Sequence, residues 1–138
     1  MSRLTSELPI YQVSRSVEAH EIDELNHVNN VVYVQWANDI AIEHWQNVGT
    51  PEMLSNYGWV LLKHCIEYKA PAVLGDSVLI KTQVGRATNV KYQRFIEIYN
   101  ATSMKLLASS TTDWCAINKD GKPTRITPEI RSLFEASI

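Results

Sequence analysis

Cysteine is scarce and poorly spaced for either of its structural uses. Only Cys65 and Cys115 occur in 138 residues, too far apart for a CxxC metal or redox site and too few to staple a small domain. Both fall in apolar stretches, so buried free thiols in a reducing compartment are expected. Glycine is also sparse, and the five present build neither Gly-x-Gly-x-x-Gly nor a P-loop. Neither sign of charge predominates: 13 Lys and Arg against 15 Asp and Glu give a net charge of −2 and a pI near 6.1, which excludes general attraction to nucleic acid. Long apolar runs are missing, since none approaches the ~20 residues that span a bilayer. Met1 to Pro9 carries no apolar signal core and reads as a loose lead-in. These absences lead to the expectation of a cytoplasmic protein with no membrane partner. There are no repeats, low-complexity tracts or linkers, and at 45% apolar residues the chain can bury a core as one domain, 1–138.

What is present is a clear change of period. Ile10 to Ala19 alternates apolar and polar residues, as a half-buried strand does. From Asn30 to Val48 the period becomes helical, with Tyr33, Trp36, Ala37, Ile40, Ala41, Trp45 and Val48 on one face and Gln35, Asn38, Asp39, Glu43 and Gln46 opposite. The tryptophans at this spacing are expected in the core. His44 falls within the stripe, which predicts a hydrogen-bonded core histidine, with a ligand-facing one as the alternative. Gly49-Thr50-Pro51 ends this helix and starts a short one through Asn56. Thr127-Pro128-Glu129 opens a C-terminal helix by the same logic of cap then proline.

Trp59–Lys69, Ser77–Ala87, Val90–Ala101 and Lys105–Asn118 read as four further strands, separated by turn-forming residues. One strand, one long helix and four strands joined by short loops predict an α+β fold: a five-stranded antiparallel sheet with the helix on one face. Ser109-Ser110-Thr111-Thr112 is a run of small side chains in the last strand, suited to close approach of the helix or to leaving room for a ligand.

The segment between the first strand and the helix carries the chemistry. From Glu21 to Trp36 a carboxylate, Asp23, is followed by a polar loop and then by Asn29 and Asn30 at the start of the helix. Either asparagine is suited to be the N-cap. The free N–H groups and the positive end of the helix dipole would point back at Asp23, where they could hold an oxyanion. His27, near the helix start, is a candidate acid–base partner. His20, Asp23 and His27 lack helical period and any recognised ligand spacing, so no metal is expected. No cofactor is implied either.

Asp23, His27, Val28, Asn29, Asn30, Tyr33 and Trp36 form Asp-x3-His-Val-Asn-Asn-x2-Tyr-x2-Trp, which resembles the signature of hotdog-fold acyl thioesterases of the 4-hydroxybenzoyl-CoA thioesterase type and of the plant acyl-ACP thioesterases. Ile66 to Asp76 is similar to the family's strand and turn after the helix, and Gly121 to Ile126 to its closing loop, so the likeness runs from about Val13 to Leu133. It implies a sheet wrapped around the long central helix, with Asp23 as the catalytic carboxylate, the Asn30 N–H polarising the thioester and His27 organising the loop. Two positions depart from the pattern. Asn26 stands where many relatives have glycine, though asparagine tolerates a left-handed backbone; Leu25 stands where the acyl-ACP branch has asparagine, which favours a CoA carrier.

The resemblance also implies a homodimer or homotetramer, because hotdog active sites form between subunits. The expected activity is hydrolysis of an acyl-CoA to a carboxylic acid and CoA. Alternatives are an acyl-ACP thioesterase, a hydratase of the same fold, whose Asp-x-Asn-Pro-x-His pattern is absent here, and a noncatalytic acyl-thioester-binding module. Phosphates of CoA require basic side chains at a surface mouth; Arg86 and Lys91, flanking the turn from Ala87 to Val90, are the candidates, with Lys63 and Lys69 in reserve.

Overall fold

The structure, a computed structural model, describes residues 2–136. Five strands, β1 (Tyr11–Ser16), β2 (Gly58–Tyr68), β3 (Ser77–Ala87), β4 (Lys91–Asn100) and β5 (Leu106–Ile117), are joined by three helices, α1 (Asn30–Val48), α2 (Pro51–Asn56) and α3 (Pro128–Glu135). The strands form one antiparallel sheet in the order β1-β3-β4-β5-β2. The α+β class is as expected. Both edges differ in kind: β1 is short, whereas β2 offers eleven residues whose outer backbone edge pairs with nothing among the described residues.

α1 lies on one face because its apolar stripe has nowhere else to go. Tyr33, Trp36, Ala37 and Ile40 join Val78, Ile80, Ile96, Ile98, Leu107 and Ala108 of the sheet in one cluster. Trp45 joins Val84, Tyr92, Ala116, Ile126, Ile130 and Phe134 in a second. Each large side chain removed from water in this way stabilises the fold by roughly 1.5–3 kcal/mol. The helix stops at Gly49, where a Cβ would meet Leu54 Cδ2 at 2.8 Å, so a side chain there would push α2 away.

Three expectations are corrected. The first strand ends at Ser16, not Ala19, because the Val17 N–H turns to the Asp76 carbonyl at 2.9 Å and Ala19–Glu21 coils into a 3₁₀ turn. The lead-in, whose Met1 lies outside the described residues, is tied to the outer face of the sheet. Gln83 donates to the carbonyls of Thr5 (2.7 Å) and Leu8 (2.8 Å) and accepts from the Thr5 N–H (3.0 Å), while the buried Glu97 carboxylate accepts from Ser2 Oγ (2.7 Å) and the Arg3 N–H (2.8 Å). Finally, Cys115 is buried but Cys65 is exposed. It points outward from the edge strand, between His64 and Ile66, which face α1.

The entry to α1 is fixed by one buried carboxylate. Glu21 accepts from Arg15 Nη2 (3.1 Å), Trp36 Nε1 (3.1 Å) and the Glu18 N–H (2.8 Å), and its own carbonyl accepts from the Asn29 N–H (2.9 Å). Arg15 also stacks over the Trp36 ring at 5.2 Å. Removing the carboxylate strands three donors, the Trp36 indole among them buried, so Glu21→Ala should lower unfolding stability by about 3 kcal/mol, against about 1 kcal/mol for Trp36→Phe at the hydrogen bond alone. Urea titration of both variants checks this; equal small losses would show that the carboxylate does not hold the loop.

Candidate active site at the start of the long helix

The loop from Ile22 to Asn29 closes on itself before α1 begins. Ile22 and Val28 form an isolated bridge, the Asp23 N–H donates to the His27 carbonyl at 2.9 Å, and Asn26 N–H returns to the Asp23 carbonyl at 3.0 Å. Asn26 takes φ 62°, the left-handed conformation that glycine would otherwise supply. Asn29 is the N-cap, its Oδ1 accepting from the Val31 N–H at 3.0 Å. This resolves the choice between the two asparagines and leaves Asn30 as the first helical residue. Its N–H has no acceptor among the described residues.

Asp23 is held by one oxygen. Oδ1 accepts from the Leu25 N–H at 2.9 Å and more loosely from the His27 N–H at 3.4 Å, and Oδ2 takes no hydrogen bond among the described residues. Tyr68 ties the far side of the site together: its hydroxyl donates to the Asn30 carbonyl at 3.0 Å, and its ring meets Tyr33 edge-on at 5.6 Å. Asp23, His27, Asn29, Asn30, Tyr33, Tyr68 and Lys69 thus line one open groove of about 420 Å³.

Arg86 and Lys91 are not part of that groove. They flank the β3–β4 turn and are exposed, but Lys91 pairs with Cys115 at one end of β5, whereas Tyr68 pairs with Ala108 at the other. At ~3.3 Å per residue the two ends of the same chain are roughly 23 Å apart. Lys69 is the basic side chain at the groove itself; Lys63 lies on the outer face of the sheet beside Arg3. Of the possible metal ligands, His20 groups with Glu18 and Glu21 rather than with Asp23 and His27, and Glu21's oxygens are already occupied by Arg15, Trp36 and the Glu18 N–H.

A second polar centre lies under the other half of α1, and it was not anticipated beyond His44. Arg94 is buried on the helix-facing side of β4, where it pairs with Val84 and Thr112. Its Nη1 lies 2.9 Å from both His44 Nδ1 and Thr82 Oγ1. A guanidinium can only donate, so Nδ1 is the unprotonated ring nitrogen. His44 is stacked on Tyr11 at 5.0 Å and meets Phe134 edge-on at 5.0 Å. Burial, reinforced by the Arg94 charge, lowers its pKa from 6.5 to about 3. The expected core histidine is therefore present, and neutral. Its partner could have been found from the two-residue period of β4, which puts Arg94 on the same face as Tyr92, Ile96 and Ile98.

With this geometry in view, the chain belongs to the thioesterase-like superfamily, whose family model matches residues 17–134. A 1,4-dihydroxy-2-naphthoyl-CoA thioesterase from Synechocystis superposes with a TM-score of 0.79 at 18% identity, over 91% of this chain and 96% of that one. A protein from Pseudomonas aeruginosa gives 0.81 at 16% identity, over 95% and 99%. The 12:0-ACP thioesterase from Umbellularia californica gives 0.76 at 15% identity, with 94% of this chain matching 52% of that one. The fold is the hotdog fold. No helix of the described residues is long and apolar enough to cross a membrane.

The neutral His44 makes stability depend on acid in a defined direction. An unfolded histidine takes up a proton near 6.5, the folded one not until about 3, so the folded state loses ground as pH falls through that window and nothing above it. The loss is about 1.4 kcal/mol per pH unit, hence about 2–3 kcal/mol between pH 6.5 and about 4.5. His44→Asn keeps an acceptor for Arg94 without a titrating group, and should flatten this part of the pH profile when urea unfolding is followed at both ends. An unchanged slope would assign the acid sensitivity to another group.

Proposed function

We propose that the protein hydrolyses an acyl-CoA to a carboxylic acid and free CoA, with Asp23 and the Asn30 N–H as its reacting groups. The observation that carries this reading is their meeting in one groove, each with an unused valence: Oδ2 of the carboxylate and the first free N–H of α1. The thioester carbonyl oxygen would accept from the Asn30 N–H, whose partial positive charge at the helix start favours the oxyanion that develops. Asp23 Oδ2 either attacks the carbonyl carbon, giving an anhydride that water then opens, or takes a proton from the attacking water. Both routes break the C–S bond, consume one water and release the thiol. His27 contributes its N–H to orienting the carboxylate.

A groove this open needs a partner to exclude water, and the edge of β2 supports one. Val60, Leu61 and Leu62 are exposed there at 44%, 36% and 57%, as is Ile42 of α1 at 44%, and an unpaired eleven-residue edge is a template for a second strand. An antiparallel pairing of β2 with its copy makes a homodimer in which the partner's β3–β4 turn lies at the same end of the joined sheet as Asp23. Arg86 and Lys91 would then hold the CoA phosphates across the interface. A homotetramer adds a second such pair and changes nothing at the groove. A noncatalytic binding module would have no use for a carboxylate with a free oxygen facing a helix N-terminus.

Asp23→Asn preserves an acceptor for the Leu25 and His27 N–H groups, so the loop should persist while kcat falls by about a hundredfold or more. A panel of acyl-CoA and acyl-ACP substrates with a thiol-trapping reagent measures it, and near-normal turnover in the folded variant would remove Asp23 from the mechanism.

Light scattering should give a dimer or tetramer at micromolar concentration. The double variant Arg86→Ala, Lys91→Ala should raise KM for acyl-CoA, less so at high salt, and leave an acyl-pantetheine unaffected. An equal penalty with both substrates would mean that these residues act elsewhere than on the phosphates.

A further inference from the structure

Between the C-terminal half of α1 and the sheet lies a cavity of about 360 Å³ that the Asp23 groove does not include. Asn38, Ala41 and Ile42 of α1 line it together with Leu61 of β2, and its walls are aromatic: Trp45, Trp59, Tyr92, Trp114 and Phe134. Trp45 packs against Phe134 at 5.9 Å, nearly parallel, and against Trp59 edge-on at 5.7 Å. Such a space suits a flat ring or a short chain, being at the small end of the ~300–1,000 Å³ typical of ligand cavities.

Arg94 also lines this cavity, and it does so as a buried charge without a counter-charge. Among the described residues no carboxylate pairs with it. Glu135 is bound to Arg131 and Tyr92 instead, and Glu97 lies on the other face of the sheet. Among the described residues Arg94 donates through Nη1 alone, to a neutral imidazole and a hydroxyl, which leaves Nε and Nη2 without acceptors there. Trp59, whose ring also lines the cavity, has an indole N–H that is buried with no acceptor among the described residues. Isolated buried charges cost several kcal/mol, and buried donors are normally paired. A guanidinium fork suited to carboxylate geometry thus lines an aromatic-walled space with part of its donor capacity unused.

We propose that this cavity binds a carboxylate on an aromatic body, so that the acyl group accepted by the protein carries a carboxylate at the end remote from the thioester. The second half of the statement rests on the thioesterase reading; the carboxylate site does not. The two fit together through the β2-paired dimer. The cavity mouth at Ile42 and Leu61 faces that interface, where the partner copy's α1 start and its carboxylate arrive, so the thioester would lie at the mouth and the distal carboxylate inside on Arg94.

Isosteric pairs that differ only in charge test both halves on the full-length protein. Benzoate should bind at least about tenfold more tightly than benzamide, since only the anion satisfies the guanidinium. The readout is quenching of tryptophan fluorescence, three tryptophans lining the cavity, with calorimetry alongside. Arg94→Gln should abolish the preference. Should that variant fail to fold, Arg94→Lys, which keeps a charge and loses the bidentate fork, should lower the ratio several-fold. Equal binding of benzoate and benzamide by the parent, or a ratio unchanged in a folded Arg94→Gln, overturns the proposal. For the acyl group, kcat/KM for 4-carboxybenzoyl-CoA should exceed that for 4-carbamoylbenzoyl-CoA by at least about tenfold. Benzoate preference without hydrolysis of any thioester would overturn the thioesterase reading and leave the carboxylate site standing. Hydrolysis of both thioesters without preference would overturn the substrate assignment alone.

Discussion

Laying the stripe of α1 from Tyr33 to Trp45 on the sheet constrains nearly everything else about the site. The stripe is continuous, so neither end of the helix can lift away without exposing part of an apolar cluster. Its first turn is thereby held against the end of β2, where Tyr68 reaches the Asn30 carbonyl, and its last turns against β3, β4 and α3. The loop that carries Asp23 has to bridge the short distance from the end of β1 to that fixed first turn. Glu21 holds the near side of the bridge and the Asn29 cap the far side, so a solvent-exposed loop acquires a defined shape from buried neighbours.

Local pattern made much of this legible. The helical period of residues 30–48, the caps at Thr50 and Thr127, and the tolerance of Asn26 for a left-handed turn are all properties of a few adjacent residues, and each appears where it was expected. Strand order is of another kind. β2 precedes β3 in the chain yet lies at the opposite side of the sheet from β1, a consequence of which faces pack and not of any local signal. The anchoring of residues 2–8 was illegible for the same reason: Gln83 and Glu97 are far away in sequence, and a polar lead-in has no period to betray its partners. Cys65 shows the limit of reading an apolar stretch as buried, because alternation on an edge strand sends every second residue outward.

Arg94 is hard to read from the sequence for a different cause. Its strand alternates cleanly, and the alternation alone places it inside, but its charge argues for the surface, where arginine is normally found. When the two signals conflict, the conflict is itself informative, since natural cores violate polar patterning chiefly where a function or a switch requires it. The guanidinium sits between the two apolar clusters and ties α1 to the sheet through His44, so it organises the interior even before any ligand is considered. A hydrophobic residue of similar size would serve that packing at lower cost.

The positions of the two polar centres along α1 also bear on why one protomer looks incomplete. Asp23 and the Asn30 N–H stand at the helix N-terminus over an open groove; Arg94 and the aromatic cavity lie toward the C-terminus, on the same face of the sheet. One chain therefore carries the proposed reacting groups and the aromatic cavity at separate places. In the proposed dimer, a two-fold axis through an antiparallel β2 pair would run the two helices in opposite directions and bring the N-terminal groove of each copy toward the C-terminal cavity of the other. The same operation would cover Val60, Leu61, Leu62 and Ile42, four of the apolar side chains that a single protomer leaves exposed.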